Sequence, residues 1–330
     1  MRKCIDKLKY RTRKDGIMWL TLVGLTLVLV TFCRSTTTDK SFNEGKPFDL
    51  SSIPDSTVAS MGCGRRLSLF HNQDGIQFAE FPWLVAIYGH QDYLCSGVLI
   101  TPLVILTSAH CVHNEPMEDL RVVAGEFDAA AEREPCPHQI RLVSELLLHP
   151  NYTQTPATHN LAMLLVANAF QMATNVRSIC LPTYEMIHNI SECYVAGWQR
   201  KDFGNSEILP KRATLYVLPQ DQCRAKLRLA ILGRRYFPTN DSLICARGVK
   251  DDFVCGDEAG TSGVPLMCPV AGCADCFVLA GVLARSARCD GPQLLGIYTN
   301  ISFYRQWIDQ MIIERNLQIS ELMWFNPNKY

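Results

Sequence analysis

Residues 107–111 read TSAHC and place a histidine beside a cysteine, at the end of the apolar run GVLITPLVILTSA (97–109). A continuous apolar run rich in branched residues is typical of a buried strand. A histidine that follows such a strand, held in place by a neighbouring disulfide, is well positioned to act as a general base. An isolated histidine is more often an ordinary loop residue, so its assignment as a general base depends on the motifs in the rest of the chain.

Short apolar runs continue on both sides of this stretch, from about Phe70 to Met311, separated by Gly, Pro, Asn and Asp. Many short strands at this spacing predict an all-β sandwich or barrel. Two stretches are patterned as helices, Asp221–Leu232 and Ser302–Arg315. In the second, the large apolar residues from Phe303 to Met311 fall on one face.

The composition is that of a globular protein without a strong charge bias. The 330 residues are 48% hydrophobic and 19% charged, which excludes a largely disordered chain. Lys+Arg and Asp+Glu balance at 32 each, so nothing in the charge favours nucleic acid as a partner.

The 15 cysteines indicate the compartment. All but Cys4 and Cys33 lie in residues 63–289, and the one close pair, Cys273 and Cys276, has no second pair to complete a zinc site. Disulfides in an oxidising compartment are therefore favoured over metal binding.

The N-terminal residues direct the chain out of the cytosol. Residues 2–14 carry seven Lys or Arg, and residues 17–33 have no charge. Residues 1–33 are either a secretory signal or a membrane anchor with its N-terminus inside, and residues 34–69 form a polar linker or pro-segment. Four glycosylation triplets agree with this topology, at Asn151, Asn189, Asn240 and Asn300.

Ten motifs occur in one order: FPWLV (81–85), CSGVLI (95–100), TSAHC (107–111), HPNY (149–152), NLAMLL (160–165), SICLP (178–182), VAGWQ (195–199), SLICA (242–246), GVPLMC (263–268) and GIYTNIS (296–302). Together they resemble the chymotrypsin-like (trypsin-like) serine proteases over residues 70–313. The resemblance implies two six-stranded antiparallel β-barrels with a cleft between them and a C-terminal helix. The tail 314–330 has no assignment.

Three further stretches narrow the resemblance: CGRR (63–66), AGEFD…EPCPHQ (124–139) and LRLAILGRRYFPTNDSLICARG (227–248). They are similar to the insect clip-domain proteases and their masquerade-like, non-catalytic homologues. A clip domain has six cysteines, whereas only Cys63 lies between the N-terminal apolar segment and the protease-like region. We therefore expect the clip domain to be absent.

The resemblance implies a serine nucleophile, a histidine base and an aspartate that orients the histidine. The histidine is His110, but Asn160 occupies the aspartate position at the start of NLAML (160–164). Asparagine keeps the shape without the charge and can hold the imidazole in the wrong tautomer. This replacement in a catalytic triad lowers kcat by about 10⁴.

The nucleophile position depends on how residues 255–268, CGDEAGTSGVPLMC, are aligned. Aligned on PLMC, Ser262 is the nucleophile, and the amides of Gly260 and Ser262 form the oxyanion hole. Aligned on Cys255, Glu258 or Ala259 takes that place. We prefer the first alignment, because Pro265 and Leu266 begin a core strand and should keep their register.

The resemblance also identifies an activation pair and a specificity pocket, and both are altered. Thr261 replaces the aspartate that would pair with a new N-terminus, and the sequence LSLFHNQ (67–73) has neither Arg or Lys before the expected cut nor an Ile-Val-Gly-Gly start. The pocket positions are Phe253 at the base and Ala284, Arg285 and Ser286 on the edge strand. No pocket for a cationic residue is predicted.

The family pattern implies five disulfides: Cys95–Cys111, Cys193–Cys268, Cys223–Cys245, Cys255–Cys289 and Cys63–Cys180. Cys136, Cys273 and Cys276 remain, one too many for pairing, which leaves a free thiol or a bond to another chain. Glu126, Glu132 and Glu134 lie in a loop where some relatives bind calcium, but glutamates of an exposed loop are more often solvated. Neither a metal nor a cofactor is predicted.

The residues and the resemblance favour a secreted, non-catalytic homologue that binds a protease, a zymogen or a protease inhibitor in an extracellular cascade. Insect homologues of this type are associated with clotting, melanisation and immune defence. One alternative is an impaired endopeptidase that uses Ser262 and His110. Another is an adhesion protein anchored by residues 17–33, and a third is a redundant copy without a selected role.

Overall fold

The computed structural model describes residues 62–66, 76–131, 134–154, 157–183, 192–205, 207–230, 241–249, 261–273, 275–287 and 293–317. The expected signal or anchor (1–33), most of the linker and the end of the tail lie outside these residues. Within the described ranges, no helix has the length and apolar character needed to cross a membrane.

The first six-stranded sheet closes into a barrel in the order β1-β2-β3-β8-β5-β4. Its strands are β1 (Leu84–Gly89), β2 (Asp92–Thr101), β3 (Val104–Thr107), β4 (Leu120–Ala124), β5 (Gln139–Leu148) and β8 (Ala162–Val166). A separate two-stranded hairpin, β6 (Thr153–Gln154) with β7 (Ala157–Thr158), lies between β5 and β8 in the chain. Branched residues fill this barrel because they suit the pleated, buried face of a strand.

The second barrel has the order β10-β11-β14-β13-β12-β9. Its strands are β9 (Glu192–Gly197), β10 (Lys211–Val217), β11 (Leu243–Val249), β12 (Pro265–Pro269), β13 (Phe277–Ala287) and β14 (Gln293–Asn300). Neighbouring strands are antiparallel throughout both barrels. The predicted pair of six-stranded barrels is confirmed.

In the part of the chain that the structure describes, three α-helices connect or follow the strands: α1 (Ala109–Val112), α2 (Gln220–Ala230) and α3 (Ile301–Glu314). Helix α3 buries Tyr304, Ile308 and Ile312, whereas Phe303 is 40% exposed. The predicted apolar face is therefore confirmed for Trp307, Ile308 and Met311, which pack against the core, and wrong for Phe303.

Asn300 caps helix α3. Its side-chain oxygen accepts from Ser302 N at 3.1 Å, and its Nδ2 donates to Asp241 O at 2.7 Å. Asn300 is 7% exposed, and its Nδ2, the atom to which a glycan would attach, is bonded to Asp241 O; glycosylation at Asn300 stays a prediction beside its observed role as a helix cap. Asn151 is exposed, and Asn189 and Asn240 lie outside the described residues.

The two barrels pack against each other through aromatic residues. Trp83 is fully buried, and its Nε1 donates to Met267 Sδ at 2.8 Å. Phe81 meets Phe277 edge to face, with ring centroids 6.1 Å apart. This packing joins the residues that lead into β1 to β12 and β13 of the second barrel.

Candidate functional site

Helix α1 holds His110 between the barrels. It follows β3 directly, and the Cys95–Cys111 disulfide ties it to β2. Just before it, Ser108 Oγ donates to Leu283 O of β13 at 2.5 Å. The histidine is thus fixed to the first barrel by a covalent bond and to the second barrel by a buried hydrogen bond.

The turn before β12 presents Ser262. Ser96 N donates to Ser262 O at 3.1 Å, which brings the turn against β2 of the other barrel. Gly263 has a φ of +77°, and an added Cβ would lie 2.0 Å from Ser96 O. Only glycine tolerates both the left-handed backbone and this close approach. The turn therefore has the register given by the PLMC alignment.

His110 and Ser262 are in direct contact. The distance from His110 Nε2 to Ser262 Oγ is 2.7 Å, across a sequence separation of 152 residues. The PLMC alignment predicts this pairing from the sequence. Glu258 and Ala259, the alternatives in the Cys255 alignment, lie outside the described residues.

Asn160 lies on the other side of the imidazole and is 2% exposed. Its Oδ1 accepts from the His110 backbone N–H at 2.9 Å. Its Nδ2 lies 2.7 Å from His110 Nδ1 and 3.3 Å from Ala284 O. The triplet of side chains at positions 110, 160 and 262 is therefore assembled.

The surroundings of Asn160 fix which amide atom faces the histidine. A rotation of the amide by 180° would place the NH₂ group against the His110 N–H and the carbonyl oxygen against Ala284 O. Both contacts would then lose their hydrogen bond, and like partners would face each other. The observed orientation is the one that satisfies the backbone N–H and Ala284 O together.

This orientation determines the imidazole tautomer. Since Asn160 Nδ2 is a donor, His110 Nδ1 must be the acceptor, and the proton of the neutral ring is on Nε2. The Nε2–H then donates to Ser262 Oγ. A general base needs a lone pair at Nε2 to take the serine proton. The two side chains are placed as in a catalytic triad, but here His110 donates the hydrogen bond and Ser262 accepts it.

Comparison with known proteins assigns the family. A family model described as Trypsin matches residues 71–308. The chain belongs to the trypsin family. Phenoloxidase-activating factor 2 of Galleria mellonella is 31% identical over 281 residues, which cover 78% of this chain and 91% of that protein.

Two further similarities are to CLIP-domain proteins. Inactive CLIP domain-containing serine protease A28 of Anopheles gambiae is 30% identical over 88% of this chain and 79% of that protein. The crystal structure of the Drosophila Grass clip serine protease of the Toll pathway has a TM-score of 0.63 and 27% identity, over 77% of this chain and 75% of that chain. The predicted resemblance to insect clip-domain proteases and their inactive homologues is confirmed.

The position before Ser262 is buried and uncharged. Thr261 is 1% exposed and carries no charge that could hold a buried ammonium group. Val264 is fully buried, and its Cγ2 would lie 3.0 Å from a Cβ added at Gly197. The expected activation sequence at 67–73 lies outside the described residues.

The edge of the cleft is formed by β13. Ala284 is half-buried, and its carbonyl oxygen accepts from Asn160. Arg285 is exposed and pairs in register with Ile297 of β14, and Ser286 pairs with Gly296. Phe253 and Gly260, the other predicted pocket and oxyanion positions, lie outside the described residues.

Four of the five predicted disulfides are present: Cys63–Cys180, Cys95–Cys111, Cys193–Cys268 and Cys223–Cys245. The fifth, Cys255–Cys289, lies outside the described residues. The prediction of a free thiol among the three remaining cysteines is wrong, because Cys273 bonds to Cys276 and Cys136 is also disulfide-bonded.

The glutamate loop is more buried than its sequence suggests. Glu126 has a side chain only 7% exposed, so the expectation of a solvated group is wrong there. Its carboxylate lies 3.2 Å from His138 Nδ1, and ligand atoms of Glu126, Glu134 and His138 fall within 4.8 Å of one another. Glu132 lies outside the described residues.

The chemistry of these donors fits a divalent cation. Burial, and then the charge of Glu134, raise the pKa of Glu126 to about 8. One oxygen of Glu126 and one of Glu134 are buried without a hydrogen-bond partner. Glu126 and Glu134 would hold a hard cation through these oxygens, with His138 beside them.

A histidine pair behind the triplet was missed from the sequence. His149 and His159 stack with ring centroids 5.0 Å apart, and His159 Nδ1 lies 3.0 Å from Tyr304 Oη of α3. His159 has a φ of +48° and directly precedes Asn160. Two histidines 10 residues apart give no periodic signal, so only the fold brings them together.

Proposed function

We propose that this protein is a secreted, catalytically inactive trypsin-family homologue that acts by protein–protein binding, as a cofactor or regulator of an extracellular proteolytic cascade. The observation that carries the proposal is the hydrogen-bonding of Asn160. It accepts from the His110 N–H and donates to His110 Nδ1, which leaves Nε2 protonated toward Ser262.

The energetic cost of this arrangement is large. An asparagine in the triad position lowers kcat by about 10⁴, which corresponds to about 5 kcal/mol of transition-state stabilisation. Thr261 and Arg285 add the loss of the activation partner and of the usual cleft edge. The disulfides and both barrels are kept, so the features retained are those of a scaffold.

The relatives support the cascade role. One is named phenoloxidase-activating factor 2 and two are named inactive CLIP domain-containing serine proteases. A protease, a zymogen or a protease inhibitor is accordingly the class of partner that we propose. No nucleic acid is proposed, and a membrane is proposed only if residues 17–33 remain as an anchor.

A fluorophosphonate probe tests the absence of catalysis. Residues 34–330 are expressed as a secreted protein, and the wild type is compared with the Ser262→Ala variant after intact disulfides have been verified. We expect no labelling of either protein. Labelling of the wild type that disappears in Ser262→Ala would contradict the proposal.

An addition experiment tests the binding role. The wild type and Ser262→Ala are added separately to a reconstituted mixture of a clip protease and its zymogen substrate. A regulator that acts by binding changes the rate of zymogen processing equally in both forms. An effect that requires Ser262 would overturn the binding role.

The second candidate is an impaired endopeptidase. It is favoured by one observation, the 2.7 Å contact between His110 and Ser262. The remaining donors of an oxyanion hole alone retain some catalysis over water. The labelling experiment separates this candidate from the first, because the endopeptidase requires Ser262-dependent reaction.

A further inference from the structure

The hairpin between β12 and β13 carries a disulfide that the trypsin-like site does not use. Cys273 and Cys276 are bonded within the sequence CADC (273–276), the C-x-x-C spacing of thiol–disulfide exchange proteins. We propose that this disulfide is an exchange site for a dithiol reductant. In its oxidised form it holds the segment 62–66 against the protease-like domain.

Exposure and loop size distinguish this bond from the other four described disulfides. Cys273 is partly exposed, whereas both sulfurs are buried in three of the other four; Cys111 is the exception. Attack by an external thiolate needs such access. Among the described disulfides, only Cys273–Cys276 and Cys95–Cys111 have a partly exposed cysteine that an external thiolate can attack.

Loop length separates these two. The sequence separation is 3 for Cys273–Cys276, against 16 for Cys95–Cys111 and 117 for Cys63–Cys180. Chain entropy makes a cross-link stabilise the fold more as the closed loop grows, with a three-halves power of the loop length. Opening the short loop therefore lowers the folding equilibrium constant by about tenfold less than opening Cys95–Cys111, and by about two orders of magnitude less than opening Cys63–Cys180.

The hairpin binds the segment 62–66 through several contacts. Arg66 N donates to Asp275 O at 2.8 Å, and Arg66 Nη2 lies 3.3 Å from Asp275 Oδ1. Arg65 forms a β-bridge with Cys276, and the Arg66 guanidinium lies over the Phe277 ring at 5.2 Å. Asp275 lies inside the C-x-x-C loop, so the disulfide constrains the backbone that receives Arg66.

Gly64 has a further anchor away from the hairpin tip, although its carbonyl oxygen also accepts from Phe277 N of β13 at 2.8 Å. Its N–H donates to Ser178 O at 2.8 Å, and the Cys63–Cys180 bond lies beside it. Opening the C-x-x-C loop therefore loosens the Arg66 amide first and leaves Gly64 in place, while the Arg66 guanidinium keeps its ion pair with Glu80 Oε1 at 3.7 Å. The hydrogen bond from Arg66 N to Asp275 O is the attachment that depends on the redox state.

The dithiol reductant supplies both electrons for the exchange. A thiolate of the dithiol attacks Cys273 Sγ, the bond to Cys276 breaks, and Cys276 leaves as a thiolate that takes a proton. The second thiol of the reductant then attacks the mixed disulfide and releases Cys273. Two electrons pass to the cysteine pair, and the reductant becomes a disulfide.

A graded reduction with dithiothreitol tests the first step. After isotope-coded alkylation of the secreted protein, we expect Cys273 and Cys276 to be labelled at lower reductant than the other described pairs, because Cys273 is accessible and opening the short loop costs the fold least. Earlier labelling of any of those four pairs would overturn the exchange site.

Hydrogen exchange of single amides tests the second step. At the reductant concentration that opens only this pair, the Arg66 amide should exchange at least tenfold faster while the Gly64 amide stays unchanged. The Cys273→Ser/Cys276→Ser variant should show the same change without reductant, and Cys223→Ser/Cys245→Ser should not. An Arg66 amide that is unaffected by selective reduction of the wild type would overturn the holding role, whether or not the variants fold.

Discussion

At the scale of single residues, the amide of Asn160 decides which ring nitrogen of His110 carries the proton. An aspartate could accept from both the His110 N–H and Nδ1–H, because its two oxygens are acceptors. An asparagine can accept only at one atom and must donate at the other. The identity of one side-chain atom, nitrogen in place of oxygen, therefore sets the proton position on the imidazole.

Restoring the aspartate should move that proton. In Asn160→Asp, we expect His110 to carry its proton on Nδ1 and Ser262 to react faster with a fluorophosphonate probe, by up to about 10⁴-fold. The matched control is Asn160→Ala, which removes the donor without supplying a charge. An equal rate in Asn160→Asp and wild type would show that another defect, such as Thr261, limits the reaction.

Gly263 gives a second prediction at the residue scale. Gly263→Ala should lower the free energy of unfolding by about 3 kcal/mol or more, because its Cβ would meet Ser96 O at 2.0 Å. Gly272→Ala is the control, since Gly272 has a similar φ of +81° with nothing within 4 Å of the added Cβ. It should cost about 1 kcal/mol. Equal losses in chemical denaturation would contradict the close approach.

At the scale of secondary structure, the histidine pair links the loop before Asn160 to helix α3. Burial, and then the charge of His159, lower the pKa of His149 to about 4, and burial lowers the pKa of His159. A lowered histidine pKa means that the unfolded chain binds more protons between pH 4 and 6.5. This contribution to stability is therefore present above pH 6.5 and lost as the pH falls to 4.

The prediction is that the melting temperature falls between pH 6.5 and 4 in the wild type and falls less in His149→Phe. Phenylalanine keeps the ring contacts with Tyr304 and Trp307 but cannot take a proton. Thermal unfolding followed by circular dichroism measures both proteins. Parallel pH profiles would exclude His149 as a source of the acid sensitivity.

The strands and helices were largely predictable because their signals are local. The run GVLITPLVILTSA predicts buried strands, and β2 and β3 are found there. The orientation of Phe303 was not predictable, since it depends on how α3 meets the barrel. The cap at Asn300 is a local contact with Ser302, and sequence reasoning missed it because the same triplet was interpreted as a glycosylation site. The stack of His149 on His159 likewise depends on a contact that leaves no period in the sequence.

At the scale of the whole molecule, the loop that contains Glu126 connects the two barrels. Trp198 Nε1 of the second barrel donates to Phe127 O at 3.3 Å, and Ile208 N donates to Asp128 Oδ1 at 2.8 Å. Glu134 Oε1 accepts from Phe127 N at 2.8 Å. A cation at the two glutamates would therefore stabilise the region where the barrels join.

Calcium should raise the melting temperature, and more at pH 8.5 than at pH 6. Since the pKa of Glu126 is raised to about 8, the carboxylate repulsion that destabilises the fold grows as the pH rises through that value, and a cation removes it. The variant Glu134→Gln should lose the response, whereas Glu118→Gln, a surface control, should keep it. A wild-type melting temperature that calcium does not change would contradict this prediction.

The residues of the site were predictable from the sequence, but the orientation of the Asn160 amide was not. The order of ten motifs places His110, Asn160 and Ser262 in one cleft, and the structure brings them together. The sequence indicates that an asparagine can hold the imidazole in the wrong tautomer, but it does not give the orientation of the amide. That orientation depends on Ala284 O and the His110 N–H, two backbone groups that only the folded barrels place around Asn160.

The measurement that tests the central claim most directly is the ¹⁵N NMR spectrum of His110 at pH 8, assigned with a His110→Gln variant. The tautomer imposed by Asn160 predicts a protonated Nε2 and an unprotonated Nδ1 in the wild type, with the reverse in Asn160→Asp. A proton on Nδ1 in the wild type would contradict the account, because Nε2 could then accept the proton of Ser262.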